Sequence, residues 1–130
     1  MSPISNHSRT QITDDALTII SRLTQLTQLL IQNNDISDRG FEQLRSLSKL
    51  GFLRIDGTQV TDESLRAITQ SFLELRTLYM RDLPNASDAG LIELAKLPKL
   101  KEVHISKKNF SAEAIKRLRK AREDMRVNAN

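Results

Sequence analysis

The stretch Leu26-Thr-Gln-Leu29-Leu-Ile31-Gln-Asn-Asn34-Asp-Ile36-Ser37-Asp38-Arg-Gly-Phe41-Glu-Gln-Leu44-Arg-Ser-Leu47 changes its periodicity half-way along. Leu29 and Ile31 alternate with period two, the spacing of a strand with one buried face. Phe41, Leu44 and Leu47 recur every third residue, the spacing of an amphipathic helix. A polar turn around Asn34 separates them. A strand, a turn and a helix in so few residues cannot bury their own apolar faces. The unit therefore requires neighbours of its own kind.

The neighbours are present, with a period of 24 to 25 residues. The second repeat starts at Leu50 and continues through Leu53, Ile55, Thr58, Val60, Leu65 and Ile68. The third starts at Leu75, with Leu78, Met80, Ala86, Leu91, Leu94 and Leu97. The fourth starts at Leu100, with Val103, Ile105, Phe110, Ile115 and Leu118. Half a repeat, residues 10–25, precedes them with Ile12, Leu17, Ile20 and Leu23. Its Thr10-Gln-Ile-Thr-Asp-Asp-Ala-Leu17 nearly duplicates Thr58-Gln-Val-Thr-Asp-Glu-Ser-Leu65. Stacking such units sets the strands side by side as a parallel sheet and lines the helices up on the other face.

Helix starts confirm the register. Thr13, Ser37, Thr61, Ser87 and Ser111 share one position, and each is a preferred N-cap. Asp14, Asp38, Asp62, Asp88 and Glu113 follow in the first turn, where they complement the helix dipole. The spacing predicts helices over 13–22, 38–47, 62–72, 88–97 and 111–123, and a final short strand around Met125–Asn128.

These residues resemble the leucine-rich-repeat family, L-x-x-L-x-L-x-x-N/C-x-L, in its short-helix bacterial and F-box-associated forms. The resemblance runs from about Ile12 to about Val127. It implies an α/β right-handed solenoid forming a single domain over residues 1–130, with about four full repeats and a partial N-terminal one. A short parallel sheet would line the concave face and helices the convex face. The family binds protein partners through that concave face. The position of the family's Asn or Cys holds Asn34, Thr58, Leu83 and Lys108, so the later turns should be less uniform. The third turn carries one extra residue in Leu83-Pro84-Asn85 and should be irregular there. Only Ile4 is available for a preceding edge strand, and an uncapped edge would leave room for self-association. The chain is then a fragment of a longer array, or residues 1–9 improvise a cap, or a partner covers the edge.

In this register the outward strand positions form three columns. The central one is Leu30, Arg54, Tyr79 and His104; its flanks are Gln32, Asp56, Arg81, Ser106 and Gln28, Phe52, Thr77, Glu102. Tyr and Arg at the centre of a surface are typical interface anchors. Leu30, Phe52, Arg54, Asp56, Tyr79, Arg81 and His104 are accordingly the expected partner-binding residues. His104, within reach of Asp56, invites an acid–base reading. An open face offers no water-excluding pocket and no nucleophile, so a surface histidine without a chemical role is the simpler reading.

Lys116, Arg117, Arg119, Lys120, Arg122 and Arg126 form a second candidate, a basic patch on the terminal helix 111–124. Residues 1–95 carry a net charge of −3 and residues 96–130 a net +7, within the overall +4. Such a patch suits nucleic acid or an acidic partner. A solvated terminal helix, with basic residues at the negative end of its dipole, accounts for the same residues. No aromatic platform interleaves with them.

Other classes are excluded by composition. There is no cysteine, which removes disulfides, thiolate catalysis and cysteine zinc sites. Two distant histidines do not make a metal site. No Gly-rich phosphate loop or activated nucleophile is present, so neither enzyme activity nor a cofactor is expected. No apolar run is long enough to span a bilayer and no signal peptide opens the chain, so a cytoplasmic protein without membrane contact is expected.

Overall fold

Successive apolar residues 24 or 25 apart become neighbours in space. The computed structural model describes Ile4, Ser5 and residues 12–130. Six short strands form one parallel sheet in chain order: β1 (Ile4–Ser5), β2 (Gln28–Leu30), β3 (Phe52–Arg54), β4 (Thr77–Tyr79), β5 (Glu102–Ile105) and β6 (Arg126–Ala129). The register is that of the repeat. Leu29 pairs with Leu53, Leu53 with Leu78, Leu78 with Val103 and Val103 with Val127. Ile4 pairs with Leu29, which extends the sheet by the one strand the N-terminal segment could supply. Backbone bonds carry the ladder past the strand ends, for example from Ile31 N–H to the Arg54 carbonyl and from Arg76 N–H to the Gly51 carbonyl.

Helices fill the return path: α1 (Asp14–Ile20), α2 (Asp38–Phe41), α3 (Asp62–Ser71), α4 (Asp88–Glu93) and α5 (Ala112–Ala121). All five fall where the spacing predicts. All are shorter than predicted, α2 and α4 the most, because these two tighten into 3₁₀ turns over Glu42–Ser46 and Leu94–Lys96. Threefold spacing of the apolar residues suits the three-residue turn of that tighter helix.

The core lies between sheet and helices. Leu26, Leu50, Leu75 and Leu100 are fully buried, as are Ile31, Ile55, Met80 and Ile105. Phe72, at the position that holds Leu23, Leu47 and Leu97 in the other repeats, packs edge-on against Phe41 with ring centroids 6.1 Å apart. The turns after β2, β3 and β4 each contain a left-handed residue: Asn33, Gly57 and Asp82 have φ of 59°, 68° and 52°. Asn and Asp tolerate that conformation better than other side chains, and Gly adopts it freely.

The asparagine position departs from expectation in the fourth repeat. Asn34 Oδ1 accepts from Ile12 N–H at 2.6 Å, while its amide donates to the Ile31 and Gln32 carbonyls. In the fourth repeat it is Asn109, not Lys108, that accepts from the preceding turn, from Leu83 N–H at 3.1 Å. A 3₁₀ turn over Lys107–Asn109 shifts that register by one residue. The extra residue of the third turn is absorbed with Leu83 buried in the core and Pro84 and Asn85 exposed.

The Ser/Thr-Asp pairs do more than cap. Only Thr61 and Ser111 accept from their own helix N–H groups. The main bonds run between repeats. Asp14 accepts from the Ser37 N–H and hydroxyl, Asp38 from those of Thr61, Asp62 from those of Ser87, and Asp88 from the Ser111 N–H. Each carboxylate ties its helix to the next one along. The third helical position must then be small, and it holds Gly40, Ser64, Gly90 and Ala114. A Cβ on Gly40 would fall on the Asp14 carboxylate, and one on Gly90 on Asp62 and within 2.8 Å of Leu65.

Gly90→Ala tests this. Helix propensity alone predicts stabilisation by up to about 1 kcal/mol. Displacing Asp62 from Ser87 reverses the sign, and a net loss of about 1 kcal/mol is expected in urea unfolding, since bonds to a charged acceptor contribute more than that each. A gain in stability would show that Asp62 does not act as a staple.

Candidate functional site

The open face of the sheet carries a continuous stack. Strand pairing sets Leu30 beside Arg54, Arg54 beside Tyr79, and Tyr79 beside His104. The Arg54 guanidinium lies 4.6 Å from the Tyr79 ring centroid. The His104 ring stacks on Tyr79 at 4.0 Å with 6° between planes. Phe52, from the flanking column, leans on Tyr79 at 5.6 Å. The central column of the predicted face is thus assembled as the repeat register requires.

Polar bonds lock the stack. Asp56 accepts from Arg54 Nε at 2.9 Å and from the Arg81 N–H at 3.0 Å. His104 Nε2 lies 2.5 Å from Glu102 Oε2. Its Nδ1 is faced by two donors, Arg81 Nη2 at 3.2 Å and Asn128 Nδ2 at 3.4 Å. Two donors require Nδ1 to be the acceptor, so the ring hydrogen sits on Nε2 and donates to Glu102.

Two expectations need correction. His104 is 8% exposed and held on every side, so it is not a free surface histidine. Asp56 is 6% exposed, and both its oxygens are engaged within the protein, so it is not an open carboxylate on that face. The acid–base pairing with His104 falls to Glu102 instead. Glu102 and Asn128 lie outside the predicted partner-binding set. Extending the repeat by one more period would have found Asn128, which stands 24 residues after His104.

The predicted basic patch divides between surfaces. Lys116, Arg117 and Lys120 are exposed on α5, and no ion pair among the described residues holds them. Arg119 Nη2 donates to the Val127 carbonyl at 2.8 Å. Arg122 turns inward, its side chain 14% exposed, onto the carbonyls of Ala95, Leu97 and Leu100. Arg126 stands on β6, paired in register with Glu102 of the sheet. Among the described residues no group of acidic or histidine side chains could hold a metal ion, and no helix is long and apolar enough to cross a membrane.

No family model matches the sequence, and no curated protein matches it. Among solved structures, an internalin from Listeria monocytogenes is similar over 92% of this chain, with a TM-score of 0.59 and 20% identity. The chain has a leucine-rich-repeat fold. It spans 38% of the length of that internalin, and at this identity the likeness is one of fold alone.

Proposed function

We propose that this leucine-rich-repeat chain is a non-enzymatic module that binds a protein partner through the concave face of its parallel sheet. One observation carries the reading: Arg54, Tyr79 and His104 form a braced stack at the centre of that face, with Phe52 beside it. Side chains already ordered lose little rotamer freedom on binding, so more of their contact energy reaches the complex. Aromatic and arginine side chains of this kind concentrate interface energy. A cysteine-free composition suits the cytoplasm.

The experiment compares wild type with the Arg54→Glu/Tyr79→Ala double variant in pull-downs from nuclease-treated source lysate. A protein retained by wild type should lose at least 100-fold in affinity for the variant, with an unchanged helical circular-dichroism signal. Equal retention by both forms would overturn the reading. It would move attention to Lys116, Arg117 and Lys120, whose binding of nucleic acid or an acidic surface should fall steeply with salt. β1 is the first strand of the sheet among the described residues, and self-association through that end is the other reading. A monomeric mass in light scattering at high concentration would remove that alternative.

A further inference from the structure

We infer that the partner presents a carboxylate flanked by an apolar side chain, received by Arg54 and Tyr79. This rests on the sheet face being the binding face and names what it recognises. Arg54 uses only Nε toward Asp56, and no bond among the described residues engages its two terminal nitrogens. Those nitrogens form the planar fork that matches a carboxylate. The Tyr79 hydroxyl is also without a hydrogen bond among the described residues, and the guanidinium lies over its ring.

Charge on the face favours the same ligand. Asp56 and Glu102 are engaged within the face, with Arg54 and Arg81 N–H and with His104. Arg81 brings a second guanidinium that has no ion pair among the described residues, and its Nε is buried without a hydrogen-bond partner. An incoming anion therefore meets one guanidinium paired through Nε alone and a second with no ion pair among the described residues. Leu30 and Phe52 are half-buried on the sides of Arg54 and Tyr79 and form an apolar shoulder. A cationic partner would face Arg54 and Arg81 with like charge, and a wholly apolar one would strip water from the fork without replacing it.

The test is panning of a displayed library of random dodecapeptides on the full chain, followed by affinity measurement of the enriched peptides. Enriched sequences should carry Asp or Glu next to an aliphatic or aromatic residue. Arg54→Gln should weaken them about 30-fold, as loss of a bidentate charge-assisted pair does, and Arg54→Lys should restore only part. Tyr79→Phe keeps the stack and removes the hydroxyl, and should weaken them about 5-fold. Peptides without acidic residues, lost on Tyr79→Ala but indifferent to Arg54→Gln, would overturn the carboxylate inference and leave the binding face standing. Peptides that bind the Arg54→Glu/Tyr79→Ala variant as well as wild type would overturn both. A library yielding no enrichment also counts against the inference.

Discussion

Arg122→Ala should destabilise the protein by about 3 kcal/mol and lower its Tm by roughly 10 °C. Arg122 closes α5, yet its guanidinium works in the preceding repeat. Nη1 donates to the carbonyls of Ala95 (3.1 Å) and Leu97 (2.6 Å), and Nη2 to that of Leu100 (3.0 Å). Those carbonyls follow α4, where a helix end leaves acceptors without intrahelical partners. Asp124 pairs with Nε and Nη2 and fixes the fork, and the adjoining Arg122, with Lys101, holds the Asp124 carboxyl well below the usual carboxylate range. Alanine removes a charged donor from three carbonyls, of which that of Leu97 keeps only a long bond from the Leu100 N–H. Lysine keeps the charge but is a point donor, so Arg122→Lys should recover less than half of the loss. The damage should start at the C-terminal end, because each repeat is held mainly by its neighbour. Hydrogen exchange at the Arg126 and Asn130 amides, which bond to Lys101 and Ile105, should accelerate before exchange in β3 does. A loss under 1 kcal/mol would mean that this arginine is a surface charge after all.

Arg122 also shows where a sequence stops being legible. Its neighbours Arg119, Lys120 and Arg126 are equally basic, and a charge pattern does not reveal which of them folds back. The inward positions were legible because they repeat: Leu29, Leu53, Leu78 and Val103 could be aligned before any coordinate was known, and the pairings follow that alignment. Phe72 shares its position with Leu23, Leu47 and Leu97, but a phenylalanine in a leucine column hid it from a reading built on matching aliphatic residues. The shortened α2 and α4 were hidden because 3₁₀ and α turns place apolar residues at nearly the same intervals.

The candidate site divides the same way. Alignment alone placed Arg54, Tyr79 and His104 in one column. It could not tell that the column is a stack or that His104 is walled in, because both depend on side-chain rotamers and on Glu102 and Asn128. Asp56 was misjudged for a related reason. Its position lies just beyond the strand, where the chain turns and a short carboxylate bends back to Arg54 Nε and the Arg81 amide.

The Ser/Thr-Asp pairs were visible in sequence but assigned only half of their chemistry, and Asp38 makes the other half measurable. Asp38 accepts from the Thr61 N–H at 2.8 Å, the Thr61 hydroxyl at 2.5 Å and the Ser64 hydroxyl at 2.6 Å, all in the following repeat. Burial alone would raise its pKa. The bonds from Ser64 and Thr61 outweigh that and hold it below the ordinary value of 3.8. A carboxylate whose folded pKa is depressed stabilises the fold above its unfolded pKa and loses that contribution as pH falls through the folded value. At neutral pH, Asp38→Ala should therefore cost about 2 to 3 kcal/mol, since three donors lose a charged acceptor. The cost should diminish as pH falls below about 4, where wild type also loses the charge. Asp88 is lowered in the same direction by Ser111, so both junctions weaken together in acid. Urea unfolding of wild type and Asp38→Ala at neutral and acid pH gives the comparison. A difference that stays constant across that range would mean that the Asp38 charge contributes nothing and that the side chain acts by shape alone. A helix cap acting only within its own repeat would leave the Thr61→Val and Asp38→Ala costs additive. A staple between repeats makes the double variant cost little more than Asp38→Ala does.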